Sequence, residues 1–447
     1  MKTGDTITAQ ATPPGRGGVG IVRISGSSSF SIAEKILGKK IKAREAVFCD
    51  FLDGENKIID RGLAIYFSAP NSFTGEDVLE LQGHGGQVVM DLLLQRVLEL
   101  GARLAEPGEF TQRAFLNKKL DLTQVEAIAD LINASTADAA RNAMRSLGGE
   151  FSRKVDELTK SLMELRAKVE ASIDFVEEGD VSSAASENIK TDVNNLLLKI
   201  KNLQGVAKQG VIVQEGITVV ITGNVNAGKS SLLNLLSGED RAIVTNIPGT
   251  TRDVLRAHVQ LDGLLVNLLD TAGLHDKPDL IEEEGIHRAR KEIKKADHIL
   301  VVVDASLSNK RDPKGEIKNF AEFVPGGGRV TVLYNKVDLT GDNAKAEKID
   351  GIDCVFFSAK TGAGVDLLKK HLKTSAGMYT IEQGFSARRR HLNALGRAEK
   401  HLQNIGEPLE VWAEELKEAQ NILGEVTGKV TTEDILDKIF SEFCVGK

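Results

Sequence analysis

A chain of 447 residues, 27% of them charged, with a mean hydropathy of −0.15, is too long for one hydrophobic core and implies about two to four domains. It has no apolar run near the roughly 20 residues that cross a bilayer, and its formal net charge of −7 argues against broad electrostatic binding of nucleic acid without excluding a local basic patch. Aromatic residues at 4% leave little for base-stacking platforms, and three scattered cysteines (Cys49, Cys354, Cys444) exclude a disulfide or zinc framework and fit a reducing cytoplasm.

Glycines and short apolar runs at 19–24 and 63–67, with a helical segment near 88–100, mark residues 1–118 as a small α+β domain. Its first ten residues are polar and lack the apolar stretch of a secretory leader. Over 119–210 the period becomes helical. Val125, Ile128, Ala129 and Ile132 recur at helix spacing, and Phe151, Val155, Leu158, Leu162, Leu165 and Val169 step by four and three, as in the seam of a bundle. Residues 211–376 alternate strands and helices, as a parallel sheet requires. Helical periodicity returns over 377–447 with Leu409, Trp412, Leu416 and Ile422, then Ile435, Ile439 and Phe443. The two helical blocks read as halves of one bundle with the α/β domain inserted between them, since domain termini tend to lie close together. The expected class is multidomain α/β plus all-α: an N-terminal α+β domain, a helical bundle and an inserted α/β domain.

Inside that inserted domain, the apolar run 217–221 leads into Gly223-Asn224-Val225-Asn226-Ala227-Gly228-Lys229-Ser230, which fits G-x-x-x-x-G-K-[ST]. Backbone N–H groups of such a turn wrap an anion, Lys229 reaches the outer phosphates, and the Ser230 hydroxyl suits Mg²⁺. The helix from Ser231 adds its positive end. Asp270-Thr271-Ala272-Gly273 follows the apolar run 264–269, where Asp270 holds Mg²⁺ through water and the Gly273 amide reaches a γ-phosphate. Asn335-Lys336-Val337-Asp338 follows 330–334, and a carboxylate there accepts both donors of a guanine edge. Ser358-Ala359-Lys360 follows 355–357 and supports the base. Each motif alone is weak; four in order, each after an apolar strand, specify GTP, and the inserted domain is expected to be a Ras-like P-loop GTPase domain. Thr245-Asn246-Ile247-Pro248-Gly249-Thr250-Thr251 falls at the position of the loop that orders with triphosphate.

Leu274 stands where Ras-type GTPases carry a water-orienting Gln. An apolar side chain cannot do that work. From the residues alone, Glu282 either polarises water or, within Glu282-Glu283-Glu284, favours the start of a helix.

The loop Gly223–Ser230, Gly249-Thr250-Thr251-Arg252-Asp253, Asp270-Thr271-Ala272-Gly273-Leu274, the opening Asp5-Thr6-Ile7 with Ala9-Gln10-Ala11-Thr12-Pro13-Pro14-Gly15-Arg16-Gly17-Gly18-Val19-Gly20, and the terminal Phe443-Cys444-Val445-Gly446-Lys447 together resemble one family. It is the MnmE (TrmE) family of tRNA-uridine-modifying GTPases, and the likeness runs from end to end.

The resemblance implies a K⁺ ion held by Asn226 with Thr245, Ile247 and Thr250 when two G domains meet, and Mg²⁺ held by Ser230 and Thr251. It puts Glu282 at the family's catalytic position. GTP contacts are implied for Asn226, Ala227, Gly228, Lys229, Ser230 and Ser231; for Thr245, Asn246, Ile247, Pro248, Gly249, Thr250 and Thr251; for Asp270, Thr271, Ala272 and Gly273; and for Asn335, Lys336, Asp338, Ser358, Ala359 and Lys360. The N-terminal domain resembles a tetrahydrofolate-binding and dimerisation domain, in which Arg23, Glu80, Lys119 and the C-terminal Lys447 hold 5,10-methylene-tetrahydrofolate or a 5-formyl analogue. Basic groups pair the folate carboxylates and a Glu accepts pterin donors. From the residues alone Arg23 and Glu80 read as surface charges. Cys444 reads as a small hydrophobe at a helix end; the resemblance implies a reactive role near the folate.

The implied partners are a second copy joined through the N-terminal domain, an FAD-dependent MnmG-type flavoprotein in a heterotetramer, and tRNA, with no membrane. The implied activity is GTP hydrolysis coupled to adding an aminomethyl or carboxymethylaminomethyl group at C5 of the wobble uridine. Val225 departs from the Pro often found before Asn226, and His275 stands where a basic side chain is frequent. Arg388-Arg389-Arg390-His391 is a basic cluster that reads either as a tRNA phosphate contact or as a solvated helix end. The rival function is a GTPase switch in ribosome or cofactor-enzyme assembly, without modification chemistry. Such a switch would not need Arg23, Glu80, Lys119 and a Cys-x-Gly-Lys tail together.

Overall fold

The computed structural model describes residues 4–174, 183–239, 256–270, 296–307, 311–320, 329–378, 384–404, 409–430, 433–441, 443 and 446. In chain order the elements are β1 (Ile7–Gln10), β2 (Gly17–Ser25), α1 (Ser29–Leu37), β3 (Ala46–Leu52), β4 (Ile58–Phe67), β5 (Val78–Gly85), α2 (Gln87–Glu99), β6 (Arg103–Leu104), α3 (Glu109–Leu116), α4 (Leu122–Ile132), α5 (Ala137–Leu147), α6 (Glu150–Asp174) and α7 (Ser183–Glu215). Then follow β7 (Ile217–Gly223), α8 (Lys229–Glu239), β8 (Arg256–Leu261), β9 (Leu264–Asp270), β10 (His298–Asp304), α9 (Pro313–Lys318), β11 (Arg329–Asn335), α10 (Val337–Thr340), β12 (Lys345–Ile349), β13 (Ile352–Phe356), α11 (Val365–Ala376), α12 (Arg389–Gln403), α13 (Leu409–Thr427) and α14 (Glu433–Ser441). The chain divides into two compact units, one of residues 1–129, 147–197 and 397–447, the other of 130–146 and 198–396.

In the first unit, six strands form one sheet in the order β3-β4-β5-β2-β1-β6. The inward residues of alternate positions, among them Val22, Ile24, Phe51, Leu79 and Leu81, pack with Ile32 of α1 and Leu93 of α2. On the opposite face Phe48 and Leu63 are cross-strand partners, 65% and 38% exposed. The predicted helical seam is real: Phe151, Val155, Leu158, Leu162, Leu165 and Val169 are buried along α6. α6 packs along α13, where Leu416, Leu423 and Val426 are fully buried, and Lys429 Nζ pairs with Asp156 Oδ1 at 2.6 Å. A second small core joins Leu122, Val125 and Ala129 to Ile439, Phe440 and Phe443. Ile132 is 47% exposed and takes no part in it. The helical blocks before and after the nucleotide domain thus share cores, as halves of one bundle do.

In the second unit, seven strands run in the order β12-β13-β11-β10-β7-β9-β8. The five central strands are parallel, and β12 and β8 are antiparallel edges. Strands buried on both faces read as unbroken apolar runs. Val219 and Ile221 of β7 therefore join one core and Val220 the other. The edge strand β12 is exposed and carries Lys345, Glu347 and Lys348, charges that discourage further pairing. α7 continues to Glu215, five residues past the boundary expected at 210, and β7 begins after Gly216.

In the cluster at 388–391 the solvated-helix-end reading fails at Arg388 and His391 and holds at Arg389, which is 65% exposed. Arg388 Nη2 pairs with Asp130 at 2.9 Å, with side chains only 20% and 7% exposed. Arg389 Nε pairs with Glu215 at 2.8 Å, and the buried His391 accepts from the Arg388 amide through Nδ1 at 3.0 Å. Both acids come from elements distant in sequence, so the run of basic letters gave no sign of them.

Candidate functional site

The end of β7, the start of α8 and the turns after β11 and β13 converge at the C-terminal edge of the parallel sheet, where α/β sheets bind ligands. The phosphate-type loop is closed by steric necessity. A Cβ on Gly223, at φ 143°, would lie 2.1 Å from the Val302 carbonyl oxygen, and one on Gly228, at φ 98°, would lie 2.1 Å from Asn335 Nδ2. Asn226 is exposed in the left-handed region at φ 63°. Lys229 Nζ folds over the loop, donating to the carbonyls of Gly223 at 2.8 Å and Asn224 at 2.9 Å, which centres its charge on the turn. Ala227 is buried, while Ser230 and Ser231 are exposed on the first turn of α8.

Asn335 ties the site together. Its Nδ2 donates to the Ala227 carbonyl at 2.8 Å and its Oδ1 accepts from the Ala359 amide at 2.9 Å. Asp338, exposed on α10, accepts through Oδ1 from the buried Ser358 hydroxyl at 2.6 Å, which orients the carboxylate. Lys360 is exposed beside it. Lys336, at φ 68°, pairs with Asp304 at the end of β10. Burial works against the Asp304 carboxylate, but Lys336 and both donors of Ser306 outweigh it and hold its pKa below 3.8. Asp304 was not among the expected site residues. Its only signal in sequence is a carboxylate closing the apolar strand at 299–303.

Asp270 ends β9 in register with Ile221 of β7, so its backbone runs beside the strand that feeds the loop. Thr245, Asn246, Ile247, Pro248, Gly249, Thr250, Thr251, Thr271, Ala272, Gly273 and Glu282 lie outside the described residues, as do Cys444 and Lys447.

In the first unit, Arg23 of β2 and Glu80 of β5 are cross-strand partners. Arg23 donates from Nε and Nη2 to Glu80 Oε1 at 2.9 and 2.8 Å. Their side chains are 23% and 15% exposed, so the surface-charge reading fails, and sheet register is the reason. The Arg23 guanidinium carbon sits 5.8 Å from the ring centres of both Phe73 and Phe110. Among the described residues, Glu80 Oε2 is reached by Gln82 Nε2 alone, at 3.4 Å. Lys119 Nζ donates to the Pro70 carbonyl at 3.1 Å, on the turn that leads to Phe73. That turn is held by polar ties: Asn117 Nδ2 to the Thr74 carbonyl at 2.8 Å, and Ser25 Oγ to Glu76 at 2.7 Å. Arg113 also reaches Glu76 at 3.1 Å. Gly446 packs so closely on β1 that a Cβ there would lie 2.4 Å from the Gln10 oxygen, and Gln10 pairs with Val22 beside Arg23. Three of the four expected folate contacts are thus described. Arg23 and Glu80 meet directly, and Lys119 holds the adjoining turn.

Among the described residues no cluster of His, Cys, Asp or Glu suits a metal ion, Cys49 and Cys354 are free and buried, and no helix is long and apolar enough to cross a membrane.

Comparison with known proteins agrees with this plan. The family profile described as "MnmE helical domain" matches residues 122–444, and "GTP-binding protein TrmE N-terminus" matches 6–119. The chain is 52% identical to the tRNA modification GTPase MnmE of Shewanella denitrificans and 51% identical to that of Shewanella woodyi, in each case over 100% of both chains. The solved G domain of the T. maritima FeoB iron transporter aligns at 28% identity over 36% of this chain and 98% of that one, with a TM-score of 0.27, too low to carry an argument. Two profiles that together run from the first strand to the last helix, and relatives more than half identical from end to end, lead to one conclusion: the chain belongs to the MnmE (TrmE) family of tRNA modification GTPases.

Proposed function

We propose that this chain is a K⁺-activated GTPase that acts with an FAD-dependent flavoprotein on tRNA. Together they add an aminomethyl or carboxymethylaminomethyl group to C5 of the wobble uridine, using a methylene-tetrahydrofolate one-carbon unit. The observation that carries the nucleotide half is the Asn335 carboxamide, which braces the phosphate loop and the Ala359 turn as one seat. Asp338, oriented by Ser358, would accept the two guanine donors, and Lys229 would hold the outer phosphates. Ser230 and Thr251 would hold Mg²⁺, and Asn226 with Thr245, Ile247 and Thr250 would hold K⁺. A cation fixed there supplies positive charge where the transition state gains negative charge. Glu282 would orient water in place of the Gln that Leu274 excludes.

Folate fits the N-terminal pair. Glu80 keeps one oxygen only loosely engaged, toward which pterin donors can turn, and Arg23 with Phe73 and Phe110 offers charge beside flat apolar surface. Lys119 and Lys447 would meet the folate's carboxylates. Cys444 would act on the one-carbon unit, as the family resemblance implies. The exposed Phe48–Leu63 pair favours a second copy as partner through this domain. A cytoplasmic location follows from a tRNA substrate.

Two measurements test the reading. Hydrolysis should run many-fold faster in KCl than in NaCl, and equal rates would sink the cation assignment. Nucleoside analysis of tRNA from cells lacking the chain should show an unmodified wobble uridine. An unchanged uridine would leave the assembly switch standing instead.

A further inference from the structure

Three basic clusters stand out on the described surface, and their surroundings separate them. Arg388 is held by the buried Asp130, and Arg389, 65% exposed, has Glu215 at 2.8 Å. Lys369, Lys370 and Lys373 of α11 line a cavity of about 400 Å³ together with Asp262 and Asp366, and Lys373 donates to the Asp262 carbonyl at 2.9 Å. The third cluster is different. Between 34 and 45 the chain reads Glu-Lys-Ile-Leu-Gly-Lys-Lys-Ile-Lys-Ala-Arg-Glu, five cations against two carboxylates in a protein of net charge −7. Lys35, Lys39, Lys40, Lys42 and Arg44 are all exposed. Lys40 and Lys42, with side chains 82% and 84% exposed, reach Glu34 and Glu45 only at 3.6 Å, contacts worth little in water.

The loop is nevertheless anchored. Ile41 is buried at 7% exposure, the Arg44 amide donates to the Tyr66 carbonyl at 2.7 Å, and Ala43 bridges Tyr66. Arg44 Nη2 then donates to the Asn71 carbonyl at 2.8 Å, one residue from the Pro70 carbonyl that Lys119 takes. Two cations from different parts of the domain therefore grip one turn, and Phe73 of that turn faces Arg23. Exposed Lys118 extends the positive strip.

We propose that Lys39, Lys40, Lys42 and Arg44 form a surface for the tRNA sugar–phosphate backbone, beside the turn that carries Phe73. The proposal rests on the reading of tRNA as substrate and of Arg23 and Glu80 as the one-carbon site, and it gives that site a way to hold RNA next to it. A protein partner fits less well. Stable protein interfaces centre on apolar or aromatic anchors, and the one large apolar side chain of this loop, Ile41, is turned inward. Flexible ammonium groups without such an anchor suit phosphates, which are held by charge and not by sequence.

The test is binding of a fluorescein-labelled, unmodified tRNA transcript to the full chain over a KCl series. Lys39→Gln/Lys40→Gln/Lys42→Gln should weaken binding roughly tenfold or more and lower the log–log salt slope by about 3, near one per phosphate contact. The matching triple Lys→Arg variant should restore both. Unchanged affinity and slope would overturn the proposal, as would a Gln-variant loss that Arg does not repair. So would intact tRNA binding with weakened binding of the flavoprotein, which would assign the patch to an acidic protein surface. Titration with 5-formyl-tetrahydrofolate separates the two readings. The triple Gln variant should bind it like the unaltered chain, whereas an unaltered chain that fails to bind folate removes the one-carbon reading and leaves the tRNA result in force.

Discussion

Asn335 Nδ2 donates to the carbonyl of Ala227 at 2.8 Å, across 108 residues of sequence, while its Oδ1 accepts from the Ala359 amide at 2.9 Å. One carboxamide therefore fixes the phosphate-type loop and the Ser358–Lys360 turn against each other. Asn335→Ala leaves a buried carbonyl and a part-buried amide without partners, each costing about 1–3 kcal/mol. Affinity for GTP and GDP is expected to fall tenfold or more, read by titration with a fluorescent guanine nucleotide. Unaltered affinity would show that the loops hold their places without the bridge.

Asp338 is exposed and oriented by the Ser358 hydroxyl at 2.6 Å. A carboxylate accepts from both guanine N1–H and the exocyclic amine, whereas Asn offers one acceptor and one donor. Asp338→Asn should lower GTP affinity by at least tenfold and raise that for xanthosine triphosphate, whose 2-oxo group accepts. Loss of both nucleotides alike would contradict the assigned contact.

At the N-terminal ends of β10 and β11, His298, Thr331, His371 and Ser375 form a hydrogen-bonded chain with a fixed direction. Ser375 Oγ donates to the Leu372 carbonyl at 3.0 Å, so it accepts from His298 Nδ1 at 3.1 Å. His298 Nε2 must then accept from Thr331 at 2.8 Å, and Thr331 in turn accepts from His371 Nε2 at 2.7 Å. Burial, followed by the neighbouring His371 and Arg329, pushes the His298 pKa from 6.5 down to about 4, against the pull of Asp353. His371 is lowered too, chiefly by burial, with Lys348 and Arg329 adding to it and Asp353 opposing.

Because these folded-state values lie below the unfolded one, the neutral rings stabilise fully above pH 6.5. That contribution is lost as pH falls toward 4, by on the order of 3 kcal/mol for His298. Thermal unfolding of the full chain between pH 7 and pH 4 should show the loss, and His298→Gln should flatten it. A variant with the same pH slope as the parent would count against a neutral, buried His298 as the source of the loss.

Arg388→Ala removes the guanidinium from Asp130, whose side chain is 7% exposed and keeps the Ser386 hydroxyl as a donor. Removing one member of a largely buried pair should cost roughly 3 kcal/mol, seen as a lower unfolding midpoint, with affinity for tRNA unchanged in the fraction that stays folded. A tRNA defect without loss of stability would return this residue to the phosphate-contact reading.

Much of the nucleotide site was legible because its chemistry is local. A glycine, a lysine and a serine at fixed spacing after an apolar run describe a turn whose geometry is set within eight residues, and β7 with its loop follows that description. The bundle seam from Phe151 to Val169 was legible for the same reason, since burial repeats with the helical period. Asp304 was missed because a carboxylate at a strand end gains its role only from Lys336, one strand away.

The sequence by itself determined the order of domains, the guanine-nucleotide motifs and the helical blocks that flank them, because periodicity and turn chemistry act over a few residues. Only the tertiary structure decided which charges are spent and which are free. Register sets Arg23 against Glu80, and chain return sets Arg388 against Asp130 across 258 residues. The basic stretch at 39–44, less conspicuous in sequence than three consecutive arginines, keeps its charges in water. Pairings of that kind depend on which strands and helices become neighbours, and no window of sequence contains that information.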